Sequence, residues 1–362
     1  MTDTRGWRRW LNPALADMSA YTPAPGAFEV RLDANEAPSL LSKEAHAELA
    51  LRAARIDWRR YPDAGSPRLR EAIAQRCGVT PEEVLLGVGS DELIAMLLRA
   101  FGRDGKSGGG VLTLTPTFVM YRMTARIHAH QVMEVPLDAS WGMSPDAVSK
   151  AVEMFQPSLI FVASPNNPTG TMVAMDHLVR LVESAAESLV IVDEAYVDYA
   201  SRHQLELLRT HENVVILRTL SKVGFAALRL GWMLARSEVV REVDKVRLPY
   251  NLPVPTQELA TLVVTELGDE LTRIRDTVVS ERERVAARLA GLPGISVTPS
   301  EANFLWIKTE ASAEEVYEGL KAQSVLVRSF HKHGGRLKHY LRVTIGLTHE
   351  NERFLSALAE VV

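Results

Sequence analysis

Three polar residues of this 362-residue sequence come shortly after apolar runs that are typical of buried strands. They are Asn167, Asp193 and Lys222. Ligands of an open parallel sheet bind where its strands end, so chemistry is expected at these positions. A buried carboxylate is unfavourable unless a positive charge lies nearby. An amide, a carboxylate and an amine at three consecutive strand ends therefore predict a polar site at one edge of a sheet.

These residues form a coherent site if the ligand is pyridoxal phosphate. That coenzyme needs an amine that links to it, an anion against its ring nitrogen and hydrogen-bond donors at its ring oxygen. Lys222 is predicted to be the amine. Asp193 is predicted to keep the ring nitrogen protonated, because a nearby negative charge favours the cation. Tyr196 and Asn167 are predicted to donate to the ring oxygen.

A phosphate site is predicted at the start of a helix. The turn Gly87-Val88-Gly89-Ser90-Asp91 leads into a helical segment, where amide N–H groups and the helix dipole favour an anion. Ser90 and Arg229, with Thr219 or Ser221, are predicted to complete the site. Two nearby glycines alone are weak evidence for such a site, whereas the whole ordered set of residues is strong evidence for a coenzyme site.

Composition excludes several classes of protein. With 46% hydrophobic and 24% charged residues and a net charge of -4, the chain is expected to be globular rather than disordered. The single Cys77 excludes an intramolecular disulfide and favours the reducing cytoplasm. The apolar runs are shorter than the roughly 20 residues that a membrane helix needs, and no basic patch is present. Neither a membrane nor a nucleic acid is an expected partner.

The sequence alternates between helix-like and strand-like segments from Pro67 onward, which predicts an α/β fold with a mostly parallel sheet between helices. A long charged stretch from Thr256 to Leu292 predicts helix, and a smaller α+β domain is expected to follow. We expect residues 1–35 to form an N-terminal arm and part of the small domain, residues 36–250 a large cofactor-binding domain, and residues 251–362 the small domain. The predicted strands are Val111–Thr115, Gln131–Val135, Leu159–Ala163, Leu189–Val192 and Val214–Leu217, then Phe304–Ile307, Val325–Arg328 and Tyr340–Thr344.

Several motifs resemble those of known enzymes. The chain resembles the fold-type I pyridoxal phosphate aminotransferases and, more narrowly, the histidinol-phosphate aminotransferase family, over nearly its whole length. The first resemblance rests on Asn166-Asn167-Pro168-Thr169-Gly170, Asp193-Glu194-Ala195-Tyr196 and Thr219-Leu220-Ser221-Lys222 with Arg229. The second rests on Leu32-Asp33-Ala34-Asn35-Glu36, Arg60-Tyr61-Pro62-Asp63 and Leu341-Arg342-Val343-Thr344, among others.

The resemblance implies roles for further residues. Phe118 takes the place of a tyrosine that stacks on the coenzyme ring, so the stacking is kept and the hydroxyl is lost. Tyr61 matches a tyrosine that reaches the coenzyme phosphate of the neighbouring subunit, which implies a homodimer. Arg342 is implied to bind the substrate α-carboxylate, for which a guanidinium fork is well suited. Arg328 is implied to bind the substrate phosphate, and Tyr21 and Asn35 to lie at the substrate.

Two clusters of charged residues are given structural interpretations. His331, His333 and His339 lie among lysines and arginines, which disfavour a bound metal ion, so a solvated loop and no metal site are expected. The alternating charges of residues 281–284 indicate an exposed helical stretch.

The function implied is transamination between histidinol phosphate and 2-oxoglutarate, which belongs to histidine biosynthesis. Other possibilities are a related aminotransferase for aromatic or other amino acids, and decarboxylation of phosphothreonine. A regulator that keeps the coenzyme fold is also conceivable, but it would need a DNA-binding extension, for which no room is expected before Tyr21.

Overall fold

The computed structural model describes residues 6–20, 22, 24–101 and 109–362, so the predicted site residue Tyr21 lies outside the described residues. The strands are β1 (Val30–Leu32), β2 (Val84–Val88), β3 (Val111–Thr115), β4 (Val132–Pro136), β5 (Leu159–Ala163), β6 (Leu189–Asp193), β7 (Val214–Thr219), β8 (Leu230–Ala235), β9 (Ile295–Thr298), β10 (Phe304–Thr309), β11 (Val325–Ser329) and β12 (Tyr340–Thr344). The helices are α1 (Lys43–Ala54), α2 (Pro67–Cys77), α3 (Gly89–Phe101), α4 (Met120–Ile127), α5 (Pro145–Phe155), α6 (Met175–Ser184), α7 (Leu207–Thr210), α8 (Ser237–Asp244), α9 (Val254–Glu266), α10 (Gly268–Ala290), α11 (Ala313–Ala322) and α12 (Thr348–Val361).

The larger sheet has seven strands within the described residues, in the order β2-β8-β7-β6-β5-β3-β4. Strands β3 to β7 run parallel to one another. Every residue of β5 is buried, as expected for a strand covered by helices on both faces. The predicted α/β fold with a mostly parallel sheet is therefore confirmed, and the carboxyl ends of β5, β6 and β7 lie side by side.

Two strands of this sheet, β2 and β8, were not predicted from the sequence. Strand β8 lies between β2 and β7 and pairs antiparallel with both. Gly87 of β2 lies opposite Gly231 of β8. A methyl group at Gly231 would lie 2.5 Å from the amide nitrogen of Ser90. The absence of a side chain at Gly231 thus allows the start of α3 to pack directly on β8.

The smaller sheet combines the two ends of the chain. Its order is β1-β11-β12-β10-β9 within the part of the chain that the structure describes. Strand β1 pairs in parallel with β11, and β12 pairs antiparallel with both β11 and β10. Residues 30–32 therefore pack with C-terminal residues, and the chain then leads from this sheet into the large one.

The charged stretch after Thr256 forms two helices rather than one. Helix α9 ends at Glu266 and α10 begins at Gly268. Arg282 of α10, expected to be exposed, is buried and donates hydrogen bonds to the backbone carbonyls of Tyr199 and Ala302. None of the described helices is both long enough and apolar enough to cross a bilayer.

A buried ion pair joins the ends of β6 and β7. Glu194, which is 1% exposed, follows β6, and Nε and Nη2 of Arg218 on β7 both lie 2.7 Å from its Oε2. Its Oε1 accepts the backbone N–H of Gln204 at 2.5 Å. The pair keeps two neighbouring strand ends in register directly beside Asp193.

We predict that Arg218→Met destabilises the protein by about 3–5 kcal/mol, because it leaves the Glu194 carboxylate buried without its cation. The free energy of unfolding is measured by urea denaturation. The double variant Glu194→Gln/Arg218→Met, which removes both charges, is the matched control and should recover part of the loss. A single variant as stable as the wild type would contradict this role of the pair.

Candidate active site

A cleft of about 580 Å³ lies where the parallel strands of the large sheet end, facing the small sheet. It collects residues from both sheets and from the loops between them. Thirteen of the residues predicted from the sequence line it: Asn35, Ser90, Asp91, Phe118, Asn167, Asp193, Tyr196, Thr219, Ser221, Lys222, Arg229, Arg328 and Arg342.

Asp193 is the buried anion of the cleft. It is the last residue of β6 and is 4% exposed. Its Oδ1 accepts the backbone N–H of Ala195 at 3.0 Å, and its Oδ2 accepts the hydroxyl of Tyr121 at 2.6 Å. Burial raises the pKa of Asp193 to about 6, against the effect of these two hydrogen bonds. The carboxyl group therefore titrates near neutrality.

Lys222 lies after the neighbouring strand β7, in a short helical turn, Ser221–Phe225. Its backbone carbonyl accepts the hydroxyl of Tyr199 at 2.6 Å, which holds the turn in place. Its amine lies 5.8 Å from the centre of the Tyr196 ring. The amine thus lies beside Tyr196, which follows Asp193 by three residues in the sequence.

Five groups converge where β7, β8 and the start of α3 meet. Thr219 Oγ1 donates to Ser221 Oγ at 2.9 Å, and Arg229 Nη1 lies 3.5 Å from the same oxygen. A methyl group at Gly89, where φ is +74°, would lie 2.8 Å from Arg229 Nη2. The amide groups of the first turn of α3, including that of Ser90, have no partner earlier in the helix. This cradle of hydroxyls, amides and one guanidinium suits a phosphate group.

Asn35 links the two sheets at the cleft. Its Nδ2 donates to the Tyr196 hydroxyl at 2.9 Å, and its Oδ1 accepts the Thr344 hydroxyl at 3.2 Å. Its carbonyl accepts the side chain of Asn303 at 3.0 Å. Because the Tyr196 hydroxyl accepts from Asn35, its own hydrogen remains available to donate to a ligand in the cleft.

Two arginines lie opposite each other on neighbouring strands. Arg328 of β11 and Arg342 of β12 are register partners, and both line the cleft. Arg342 donates to Asn167 Oδ1 and to the carbonyl of Asp33, both at 2.6 Å. Like charges directly opposite each other destabilise a sheet, so an anion between them would relieve their repulsion.

The segment His331–His339, for which the sequence predicted a solvated loop, has no buried residue, and it also borders the cleft through His333 and Leu337. His333 lines the cleft, and burial lowers its pKa, with a contribution from Arg328. The Arg336 guanidinium lies 3.6 Å from the centre of the Trp141 ring and donates to three nearby backbone carbonyls of the large-sheet part of the chain. These contacts hold the segment against the cleft.

Tyr61 lies apart from the cleft in the single chain. It is 81% exposed and stacks on Tyr250, with ring centres 4.8 Å apart. Its predicted contact with a neighbouring subunit stays a prediction.

Sequence reasoning missed Tyr121. Its ring stacks on Phe161 at 5.0 Å and meets the edge of Phe118 at 5.6 Å, while its hydroxyl bonds Asp193. The only sequence signal was its position three residues after Phe118, at the start of a helical segment.

Comparison with known proteins shows the family of this chain. The sequence profile of the family described as "Aminotransferase class I and II" matches residues 29–358. The chain is 38% identical to histidinol-phosphate aminotransferase 1 of Carboxydothermus hydrogenoformans, covering 98% of this chain and 99% of that protein. It is 37% identical to histidinol-phosphate aminotransferase of Methylibium petroleiphilum, covering 98% and 95%.

The fold matches a solved structure. The crystal structure of histidinol-phosphate aminotransferase from Sinorhizobium meliloti in complex with pyridoxal-5'-phosphate superposes with a TM-score of 0.86 over 99% of each chain, at 21% sequence identity. The predicted family and enzyme class are confirmed by these matches. From its sequence, its fold and its relatives, the chain belongs to the class I and II aminotransferases and, within them, to the histidinol-phosphate aminotransferase family.

Proposed function

We propose that this aminotransferase uses pyridoxal phosphate to transfer an amino group between histidinol phosphate and 2-oxoglutarate. The observation that carries the proposal is the presence of an amine, a buried carboxylate and a phosphate cradle in one cleft, at Lys222, Asp193 and Arg229. Gly89 lets the Arg229 guanidinium approach the start of α3 closely, and Gly231 lets the start of α3 pack on β8, so that hydrogen-bond donors surround the cradle. The residues present therefore fit a phosphorylated coenzyme.

Pyridoxal phosphate, when bound, supplies an aldehyde that takes up the amino group and a ring that draws electrons from the substrate α-carbon. Asp193 is proposed to hold the ring nitrogen protonated, and Phe118 to stack on the ring. Tyr196 and Asn167 are proposed to donate to the ring oxygen. The Asn167 side chain is oriented for this by Arg342, which donates to its oxygen and so leaves its NH₂ group facing the cleft.

Lys222 is proposed to move the proton at the substrate α-carbon, first as base and then as acid. The Tyr199 hydroxyl holds the backbone of this residue, and the amine lies against the Tyr196 ring. The amine is thus kept at the edge of the site, where it can reach the α-carbon without leaving the cleft.

The arginine pair supports a substrate with an anionic group. The relatives named histidinol-phosphate aminotransferase suggest histidinol phosphate, which carries a phosphate and no carboxylate, as one substrate. Glutamate carries two carboxylates. Arg328 is proposed to bind the substrate phosphate or the side-chain carboxylate, and Arg342 the α-carboxylate of the amino acid.

We further propose a homodimer with the coenzyme site completed by Tyr61 of the neighbouring subunit. Exposed aromatic side chains support the dimer: Trp58 is 72% exposed, and Trp7 and Trp10 of the arm are also exposed.

The two sheets support two domains with boundaries near residues 35 and 250. The cytoplasm is the proposed compartment, since the thiol of Cys77 is free and buried.

We predict that the purified protein is yellow, and that Lys222→Ala lowers turnover of histidinol phosphate by several orders of magnitude, because the proton at the α-carbon loses its base. Absorbance spectra and steady-state rates are measured. Lys245→Ala, a change at an exposed lysine paired with Glu242, is the control and should behave as the wild type. Turnover retained by the Lys222 variant would exclude this lysine as the catalytic amine.

The two arginines should separate the two half-reactions. Charge-assisted hydrogen bonds contribute about 1.5–3 kcal/mol, so Arg342→Ala should slow the glutamate half-reaction by about 10- to 150-fold and the histidinol phosphate half-reaction much less. Arg328→Ala should slow both. Stopped-flow measurement of each half-reaction on the same preparation provides an internal control, and Arg180→Ala, on the exposed face of α6, controls for loss of surface charge.

If Arg342→Ala slowed both half-reactions equally, the role proposed for Arg342 would be contradicted. A wild-type enzyme that fails to react with histidinol phosphate but reacts with aromatic amino acids would assign the chain a different substrate.

We predict that Tyr61→Ala weakens the binding of pyridoxal phosphate by about 10- to 150-fold, because one hydrogen bond to the phosphate from the neighbouring subunit is lost. Equilibrium dialysis measures the affinity, and sedimentation velocity measures the oligomeric state. Met154→Ala, at a 71% exposed apolar residue of α5, is the control. A fully active monomer would refute both the dimer and the role of Tyr61.

A further inference from the structure

Tyr121 contacts two of the groups proposed to hold the coenzyme ring. The side chain is fully buried at the start of α4. Its hydroxyl donates to Asp193 Oδ2 at 2.6 Å, and its ring edge meets Phe118, the residue proposed to stack on the coenzyme. Stacking on Phe161, with ring planes 13° apart, fixes the tilt of the Tyr121 ring. The direction of the hydroxyl is therefore set by packing before any ligand binds.

The carboxyl group of Asp193 has a raised pKa, so that its protonation state changes near pH 6. Burial, the largest cause, and Asp91 raise its pKa, whereas Tyr121, the Ala195 N–H and Lys222 lower it, and the net value is about 6. Burial and the neighbouring Asp193 charge raise the pKa of Tyr121 well above its ordinary value, with smaller contributions from Tyr196 and Asp91. The Tyr121 hydroxyl thus keeps its proton and acts as a permanent donor.

We propose that Tyr121 is a positioning residue whose hydroxyl keeps Asp193 ionised at neutral pH and fixes which oxygen faces the coenzyme nitrogen. The proposal rests on the proposed function only for the identity of the coenzyme. Without this hydroxyl, Asp193 would retain one backbone donor and the amine of Lys222 against its burial. The carboxyl group would then be mostly protonated near pH 7 and could not hold a protonated ring nitrogen.

The variant Tyr121→Phe removes the hydroxyl and keeps both ring contacts. A hydrogen bond to a charged group corresponds to a shift of about one to two pKa units, upward in the variant. Since the folded-state pKa of Asp193 already lies above its unfolded value, ionisation of this group opposes folding as the pH rises through 6. The variant should therefore lose stability increasingly at higher pH.

The first test uses the full-length chain freed of coenzyme. Between pH 5 and pH 8, the unfolding equilibrium constant of Tyr121→Phe relative to wild type should rise by about 10- to 50-fold, measured by urea denaturation. Tyr199→Phe is the matched control, because it removes another buried tyrosine hydroxyl with a 2.6 Å hydrogen bond, but to a neutral carbonyl. Its loss of stability should not vary with pH. An equally flat profile for Tyr121→Phe would overturn the proposal.

The second test measures the affinity for pyridoxal phosphate by equilibrium dialysis. Tyr121→Phe should bind it about 3- to 25-fold more weakly than wild type at pH 6.5 and within about 1.5-fold at pH 9, where Asp193 is ionised in both proteins. An affinity loss of the same size at both pH values would also contradict the proposal. If neither protein bound the coenzyme, the proposed function would fail, while the stability test would still decide the role of Tyr121.

Discussion

The buried carboxylate of Asp193 is the constraint on which the arrangement of the cleft depends. An anion at the end of a central strand is unfavourable in an apolar core, and the surrounding elements each supply partial compensation. The loop after β6 supplies an amide and α4 supplies a hydroxyl. The amine of Lys222 also stabilises the anion because the strand ends lie side by side, where the Glu194 and Arg218 pair holds them.

The small sheet also contributes to this arrangement of the cleft. Arg342 reaches across to Asn167, and Asn35 reaches across to Tyr196, so both side chains that are proposed to donate to the coenzyme ring are oriented by residues in or next to the small sheet. A change in the position of one sheet relative to the other would alter the hydrogen bonds of both donors. If Arg342 binds the substrate α-carboxylate as proposed, that carboxylate competes with Asn167 for the same guanidinium.

The sequence predicts the parallel strands because each is apolar on both faces and is bounded by turns. It also predicts most of the cleft, since strand ends in parallel sheets meet. It does not predict β2 and β8, whose glycines resemble a loop and whose pairing is antiparallel and distant in sequence. It does not predict the role of Tyr121, because the hydrogen-bond partner of this residue, Asp193, lies 72 residues away in the sequence. It does not predict the burial of Arg282, because a pattern of alternating charges does not show which segment packs over the helix.

The parallel pairing of β1 with β11 has a consequence for the newly made chain. Residues 29 and 324, which hydrogen bond beside this pair, are 295 positions apart. At a synthesis rate of about 5–20 residues per second, the first strand leaves the ribosome about 15–60 seconds before its partner. During that interval the large sheet can form, but Asn35 cannot make its hydrogen bond with Thr344, which is synthesised after β11. The cleft is therefore one of the last parts of the protein to take shape, and a ribosome that stalls before β11 releases a chain without a working site.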